Sequence, residues 1–193
     1  MDKMIEKTAE LIEEVMKRKG SCLLAVDGRC ASGKSTFGKM LQQKTGGSLV
    51  HMDDFFLQPY QRTQERYRTP GENVDHERFL AEVLEPLSRG ESVRYHPFDC
   101  RVMEISEQVK EADGKGIVIV EGSYSFHPSL REYYDLKIFL HVDPARQLER
   151  IRKRNPDKVE DFKTKWIPYE ELYFSSCHVS ECADQVIDTT NLF

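Results

Sequence analysis

The sequence predicts an α/β fold, a parallel sheet with helices on both faces. Two observations carry that expectation. Apolar runs recur at Ser21-Cys-Leu-Leu-Ala-Val26, Ser48-Leu-Val-His-Met52, Gly116-Ile-Val-Ile-Val120 and Leu136-Lys-Ile-Phe-Leu-His-Val142, with a weaker one from Ala183 to Ile187. Runs of this kind suit strands covered on both faces. Helical patterns lie between several of them, and alternating strands and helices build parallel sheets. A length of 193 residues suits one domain with one substantial core.

The elements follow in order. Residues 2 to 19 place Ile5, Thr8, Leu11, Ile12, Val15 and Met16 at three- and four-residue spacing, and Gly20 stops the pattern. This amphipathic helix is expected to cover either the sheet or a partner subunit, which leaves a homo-oligomer open. The first strand enters a glycine-rich turn, and a helix begins at Thr36-Phe-Gly-Lys-Met-Leu. From Leu57 to Asn73 the chain is polar, with Arg62, Arg66 and Arg68 before Thr69-Pro-Gly, and reads as a long loop. A helical pattern spans Glu77 to Leu87. Short alternating segments from Ser92 to Lys110 predict a small β-hairpin insertion at about 92–111. Asp143-Pro opens a basic helix, Asp capping and Pro in the first turn.

Composition excludes several classes. Acids outnumber bases 33 to 28, for a net charge of −5, which argues against a nucleic-acid groove. No window approaches the roughly 18 apolar residues of a membrane span, and Met1-Asp-Lys-Met-Ile-Glu-Lys lacks a signal-peptide core, so the expectation is a cytoplasmic protein with no membrane partner. The five cysteines contain no Cys-x-x-Cys and read as reduced thiols. Cys177-His178 with Cys182 matches no standard zinc spacing.

The strongest motif is Gly28-Arg29-Cys30-Ala31-Ser32-Gly33-Lys34-Ser35, the G-x-x-x-x-G-K-[ST] phosphate loop, followed by Thr36 and lying between a strand and a helix. Glycines let backbone N–H groups fold around phosphate, and the next helix presents its positive end. Lys34 is expected on the β- and γ-phosphates and Ser35 on Mg²⁺. No Asn-Lys-x-Asp accompanies the loop, which makes ATP the default nucleotide. The expected architecture is therefore a P-loop NTPase three-layer sandwich with a central parallel sheet and a small β-hairpin insertion.

Three further groups bear on chemistry. Asp53 and Asp54 close the second strand, where ligands bind in open α/β sheets, and a carboxylate there can take the proton of an attacking hydroxyl. Asp54 serves equally well as a cap. Glu121 ends an apolar strand and is followed by Gly122, a position suited to holding Mg²⁺. Arg150 and Arg154, four apart, share a helix face that can reach phosphate.

Together these pieces resemble the uridine kinase-like P-loop kinases, a group similar to phosphoribulokinase, bacterial pantothenate kinase and nicotinamide riboside kinase. The matching segments run in order from Ser21 to Asp188: Val26-Asp-Gly28 into Gly33-Lys-Ser-Thr36, Met52-Asp-Asp-Phe-Phe56, Asn73-Val-Asp-His76, Tyr95 to Asp99, Val120-Glu-Gly122, Tyr134-Asp-Leu-Lys-Ile-Phe139 and Ala183-Asp-Gln-Val-Ile187. The resemblance implies that Asp53 is the general base and that Asp75 binds ribose hydroxyls, with Phe56 and Tyr95 beside the acceptor. It also implies that Glu121 serves the metal and that Arg150 and Arg154 begin a short lid at about 154–168. From the residues alone Asp75 is an N-cap for the helix at Glu77. The chain departs from the family after Asp99, where Cys100-Arg-Val-Met-Glu-Ile replaces a Ser-His-Ser-Arg-like stretch, and in its short lid, where Lys158, Lys163 and Lys165 supply charge. The expectation is an ATP- and Mg²⁺-dependent kinase for a primary hydroxyl, uridine or a related nucleoside. Pantothenate, nicotinamide riboside or another sugar-containing metabolite is the nearest alternative acceptor, and a nucleotide-binding regulatory protein is the alternative of another class.

Overall fold

The computed structural model describes residues 1–192. Five strands, β1 (Cys22–Gly28), β2 (Ser48–His51), β7 (Ile117–Glu121), β8 (Leu136–His141) and β9 (Gln185–Asp188), form one sheet in the order β2-β7-β1-β8-β9. Every pairing in it is parallel. The apolar runs become strands because the sheet is covered on both sides. Within β1, Leu23 and Ala25 face one core while Cys22, Leu24 and Val26 face the other. The same alternation divides Val118 and Val120 of β7 from Ile119.

One face is covered by α1 (Asp2–Lys19) and α2 (Lys34–Thr45) through Ile5, Ile12, Val15, Phe37 and Leu41. Burying each such aliphatic side chain contributes about 1.5–3 kcal/mol, so the N-terminal helix belongs to the sheet. Gly20 ends it in a left-handed conformation, φ 77°, its N–H bonded to Met16 O.

The other face carries a helical run over 76–88, here α4, whose middle turn is widened over Leu80–Leu84. Phe79, Val83, Leu84 and Leu87 are its buried side chains. The stretch expected as a loop from Leu57 to Asn73 holds a tight turn at Pro59–Gln61 and the short helix α3 (Gln64–Arg68). Thr63 caps α3 by accepting the N–H of Arg66, and Arg66 bonds the carbonyls of Glu72 and Val74, which folds the segment back on itself.

Between α4 and β7 the chain forms two antiparallel ribbons, β3 (Val93–Tyr95) with β6 (Lys110–Ala112), and β4 (Phe98–Asp99) with β5 (Glu104–Ile105). Helix α5 (Pro144–Arg154) is capped by Asp143, whose carboxylate accepts the N–H groups of Ala145 and Arg146. The segment expected as a lid is helical for most of its length and passes directly into α6 (Ile167–Ser176). Among the described residues, no helix is long and apolar enough to cross a membrane.

Candidate active site

β1 is the central strand, with β2 and β7 on one side and the later β8 and β9 on the other, so the chain changes side at β1 and the carboxyl end of β1 is a topological switch point. The phosphate loop springs from that end. Gly28 sits at φ 140°, and a Cβ there would lie 2.2 Å from the carbonyl oxygen of Leu140. Only glycine lets β1 turn that close to β8. Ala31 and Gly33 also have positive φ, 59° and 95°, and α2 begins at Lys34 with its first N–H groups directed into the loop. Lys34 is folded across the loop, donating to Gly28 O at 2.8 Å and Arg29 O at 2.9 Å. The Ser32 hydroxyl is buried without a partner. A buried donor without a partner at the start of a helix fits an anion with several oxygens.

Strand register assembles the second component. His51 of β2 and Val26 of β1 both lie opposite Glu121. Glu121 is 4% exposed. One of its oxygens accepts the Ser35 hydroxyl at 3.2 Å, and the other lies 2.5 Å from His51 Nδ1. A carboxylate and a hydroxyl oxygen side by side beneath a phosphate loop suit a hard divalent cation such as Mg²⁺.

The two acids after β2 part company. Asp54 is buried and committed, accepting the Tyr95 hydroxyl at 3.0 Å and the Lys110 ammonium at 2.8 and 2.9 Å. Asp53 is reachable by solvent and makes no hydrogen bond among the described residues. Protein atoms around it nevertheless strip away enough water to raise its pKa above the ordinary carboxylate range. Lys34 and His51 oppose that rise, while Glu121 and Asp54 add to it. Asp53 opens on a cavity of about 270 Å³ whose walls include Phe56, Phe98, Cys100, Gln108 and Lys110.

Other expected residues lie elsewhere. Asp75 is 3% exposed and accepts the N–H of Arg78 at 3.1 Å, so its side chain is the cap of α4 and does not line the cavity. Tyr95 is 2% exposed, its hydroxyl given to Asp54, and also stands behind the cavity wall. Of the acceptor-side pair only Phe56 reaches the cavity. Arg150 touches the phosphate loop by donating to Ala31 O at 3.2 Å, and it binds the carbonyls of Thr189 and Thr190. Arg154, at the last turn of α5, is exposed and bonds Asn155. Only Arg150 of the pair therefore contacts the loop.

With this geometry in place, comparison with known proteins is informative. No protein-family model matches the chain. A uridine kinase from Clostridium perfringens is 28% identical over 130 residues, which is 62% of this chain and 61% of that relative, less than two thirds of its length. The solved structure of a possible uridine kinase from Bacillus stearothermophilus superposes with a TM-score of 0.67 at 19% identity, covering 94% of this chain and all of that one. D-glycerate 3-kinase from Cryptococcus neoformans var. grubii shares the fold at a TM-score of 0.62 and 15% identity, covering 96% of each chain. The chain is similar to the uridine kinase-like P-loop kinases.

Within this kinase-like fold, several residues emerge that sequence patterns do not single out. His51 reads as an ordinary strand residue, and only the parallel register sets it against Glu121. Lys110 closes a hairpin, and its ammonium identifies Asp54 as the structural acid of the pair. A separate polar cluster joins Glu72, His76 and His127. Both imidazoles face Glu72 through Nε2, at 3.1 and 3.6 Å, and Ser129 Oγ through Nδ1. Their rings stack at 3.9 Å with planes 17° apart. Burial and the neighbouring His76 hold the His127 pKa down at about 3.

Proposed function

We propose that the chain is an ATP- and Mg²⁺-dependent kinase transferring a phosphoryl group to a primary hydroxyl of a small metabolite, uridine or a nucleoside-like alcohol. The observation that carries this reading is the contrast between the two neighbouring acids. Asp54 is locked by Tyr95 and Lys110, whereas Asp53 makes no hydrogen bond among the described residues, has a raised pKa, feels the charge of Lys34 and lines a cavity.

The loop from Gly28 to Thr36 would hold the nucleotide phosphates, with Lys34 leaving its two carbonyl partners to meet them. Ser35 and Glu121 would hold Mg²⁺, with His51 orienting the carboxylate. When bound, the nucleotide supplies the phosphoryl group and the cation offsets its charge. Asp53 accepts the proton of the acceptor hydroxyl, a task that its raised pKa favours. Arg150 steadies the loop through Ala31. The cavity is small by the standard of ligand pockets, which suits an acceptor of nucleoside size or less. Phe56 and Phe98 offer it apolar walls and Gln108 an amide. The resemblance to proteins named uridine kinase supports uridine, and the fold shared with D-glycerate 3-kinase keeps other alcohols in contention. The protein is proposed to act on a small molecule, without nucleic acid, in the cytoplasm.

The test is ADP release from ATP with Mg²⁺ across a panel of uridine, cytidine, nicotinamide riboside, pantothenate and glycerate. Turnover dependent on one of these alcohols supports the reading and names the acceptor. Tight ATP binding without turnover on any acceptor would favour a nucleotide-binding regulatory protein instead.

A further inference from the structure

Helix α6 lays three successive contacts along the first limb of the phosphate loop. The Tyr173 hydroxyl donates to Asp27 at 2.9 Å, and Glu171 forms a two-pronged ion pair with Arg29. Glu170 accepts the Cys30 N–H on both carboxylate oxygens, at 2.9 and 3.0 Å. Glu170 is the unusual member. It is a carboxylate only 4% exposed, and a buried charge is costly unless it is fully hydrogen-bonded. It also accepts the Ser123 hydroxyl at 3.0 Å and the Gln147 amide at 3.4 Å. Gln147 in turn reaches Cys30 Sγ at 3.0 Å.

The donors come from three elements that must be in register for phosphoryl transfer. Cys30 belongs to the loop, Ser123 lies two residues beyond Glu121, and Gln147 sits on α5, which leads into the segment 154–166. Burial raises the Glu170 pKa, and Lys34 with the hydrogen-bond donors pulls it back. The charged form makes each hydrogen bond to it stronger than one between neutral groups. An apolar residue at this position would leave these buried donors unpaired.

Resting on the nucleotide reading above, we infer that Glu170 is a positioning residue. It holds the Arg29–Cys30 limb of the phosphate loop in register with the end of β7 and the root of the lid. It touches no reacting atom and acts through Cys30, Ser123 and Gln147. Its removal therefore disturbs the alignment needed in the transition state more than it disturbs the binding of phosphate, because the loop's other N–H groups and Lys34 remain. Misplacements of about an ångström cost on the order of a hundredfold in rate.

The discriminating variant is Glu170→Gln, which keeps the shape and loses the charge. Ser123→Ala and the double variant complete a cycle. Three readouts are taken: ATP affinity by calorimetry, turnover with the acceptor selected by the panel or, failing one, with water, and amide exchange of residues 28–33 in the nucleotide-free protein. Expected for Glu170→Gln are an ATP affinity within about threefold of wild type, turnover lower by about 10–100-fold, and faster exchange in the loop. Ser123→Ala is expected to be milder and to add nothing on top of Glu170→Gln, because both act through one network. Turnover within twofold of wild type, equal losses in affinity and turnover, unchanged loop exchange, or additive effects would each overturn the positioning role. A wild-type protein that fails to bind ATP would overturn the nucleotide reading itself and this inference with it, an outcome distinct from the others because it appears before any variant is made.

Discussion

Tyr173→Phe isolates one buried hydrogen bond at the root of the phosphate loop. Tyr173 and Asp27 are both fully buried, and the hydroxyl donates to the carboxylate at 2.9 Å. Asp27 also accepts the N–H groups of Gly28 at 2.6 Å and Phe126 at 2.8 Å, so the variant removes one donor of three and leaves no cavity beyond an oxygen atom. A hydrogen bond to a charged group is worth about 1.5–3 kcal/mol, and one between neutral groups about 0.5–1.5. Burial outweighs the donors and raises the Asp27 pKa from 3.8 to about 6. Between those values the folded state binds the extra proton, so Asp27 costs stability as pH rises from about 4 to about 6, and it is a carboxylate above that window. The variant should therefore lose about 1.5–3 kcal/mol at pH 8 and only about 0.5–1.5 at pH 5. For a protein of this length each kcal/mol moves the melting temperature by roughly 2–4 °C, which predicts a drop of about 3–12 °C at pH 8. Thermal melts of both proteins at the two pH values measure it. A penalty at pH 5 equal to or larger than that at pH 8 would refute the argument that the hydroxyl serves the ionised carboxylate.

Three other expectations concern separate parts of the molecule. Asp53→Asn should lower kcat by about 10²–10⁴-fold with ATP affinity nearly intact, measured by steady-state kinetics and calorimetry; near-normal turnover removes Asp53 from the proton transfer. Gly28→Ala drives a Cβ into the Leu140 carbonyl at 2.2 Å from a φ of 140°, and should cost about 3 kcal/mol or more in denaturant unfolding. A cost under 1 kcal/mol would show that β1 and β8 give way easily there. His127, neutral in the fold down to about pH 3, takes up a proton in the unfolded chain below about 6.5. Its contribution is whole above that value and is lost as pH falls from about 6.5 towards 3. His127→Asn should thus flatten the acid side of the stability profile in melts from pH 4.5 to 8, and an unchanged slope would assign the acid loss to other groups.

The strands were legible because burial on both faces leaves a continuous apolar run, a signal carried by neighbours along the chain. The phosphate loop was legible for a related reason, since its glycines and Lys34 act within one turn. The polar stretch from Leu57 to Asn73 was less so. Its organisation rests on Arg66 reaching back to the Glu72 and Val74 carbonyls and pairing with Glu77, contacts that no periodicity announces. The resemblance implied that Asp75 and Tyr95 stand beside the acceptor, and the structure adds the cap that Asp75 makes and the bond from Tyr95 to Asp54.

By itself, then, the sequence determined the parallel α/β architecture, the phosphate-loop turn and the pair of acids at the end of the second strand, all properties of residues a few positions apart. Only the tertiary structure separated Asp53 from Asp54, set His51 against Glu121, and brought Glu170 and Tyr173 of α6 onto a loop about 140 positions earlier in the chain. The reason is physical. Local conformation follows from neighbouring side chains and backbone sterics, while the state of a buried carboxylate depends on which donors the closed fold delivers to it, and those arrive from strands and helices far away in sequence.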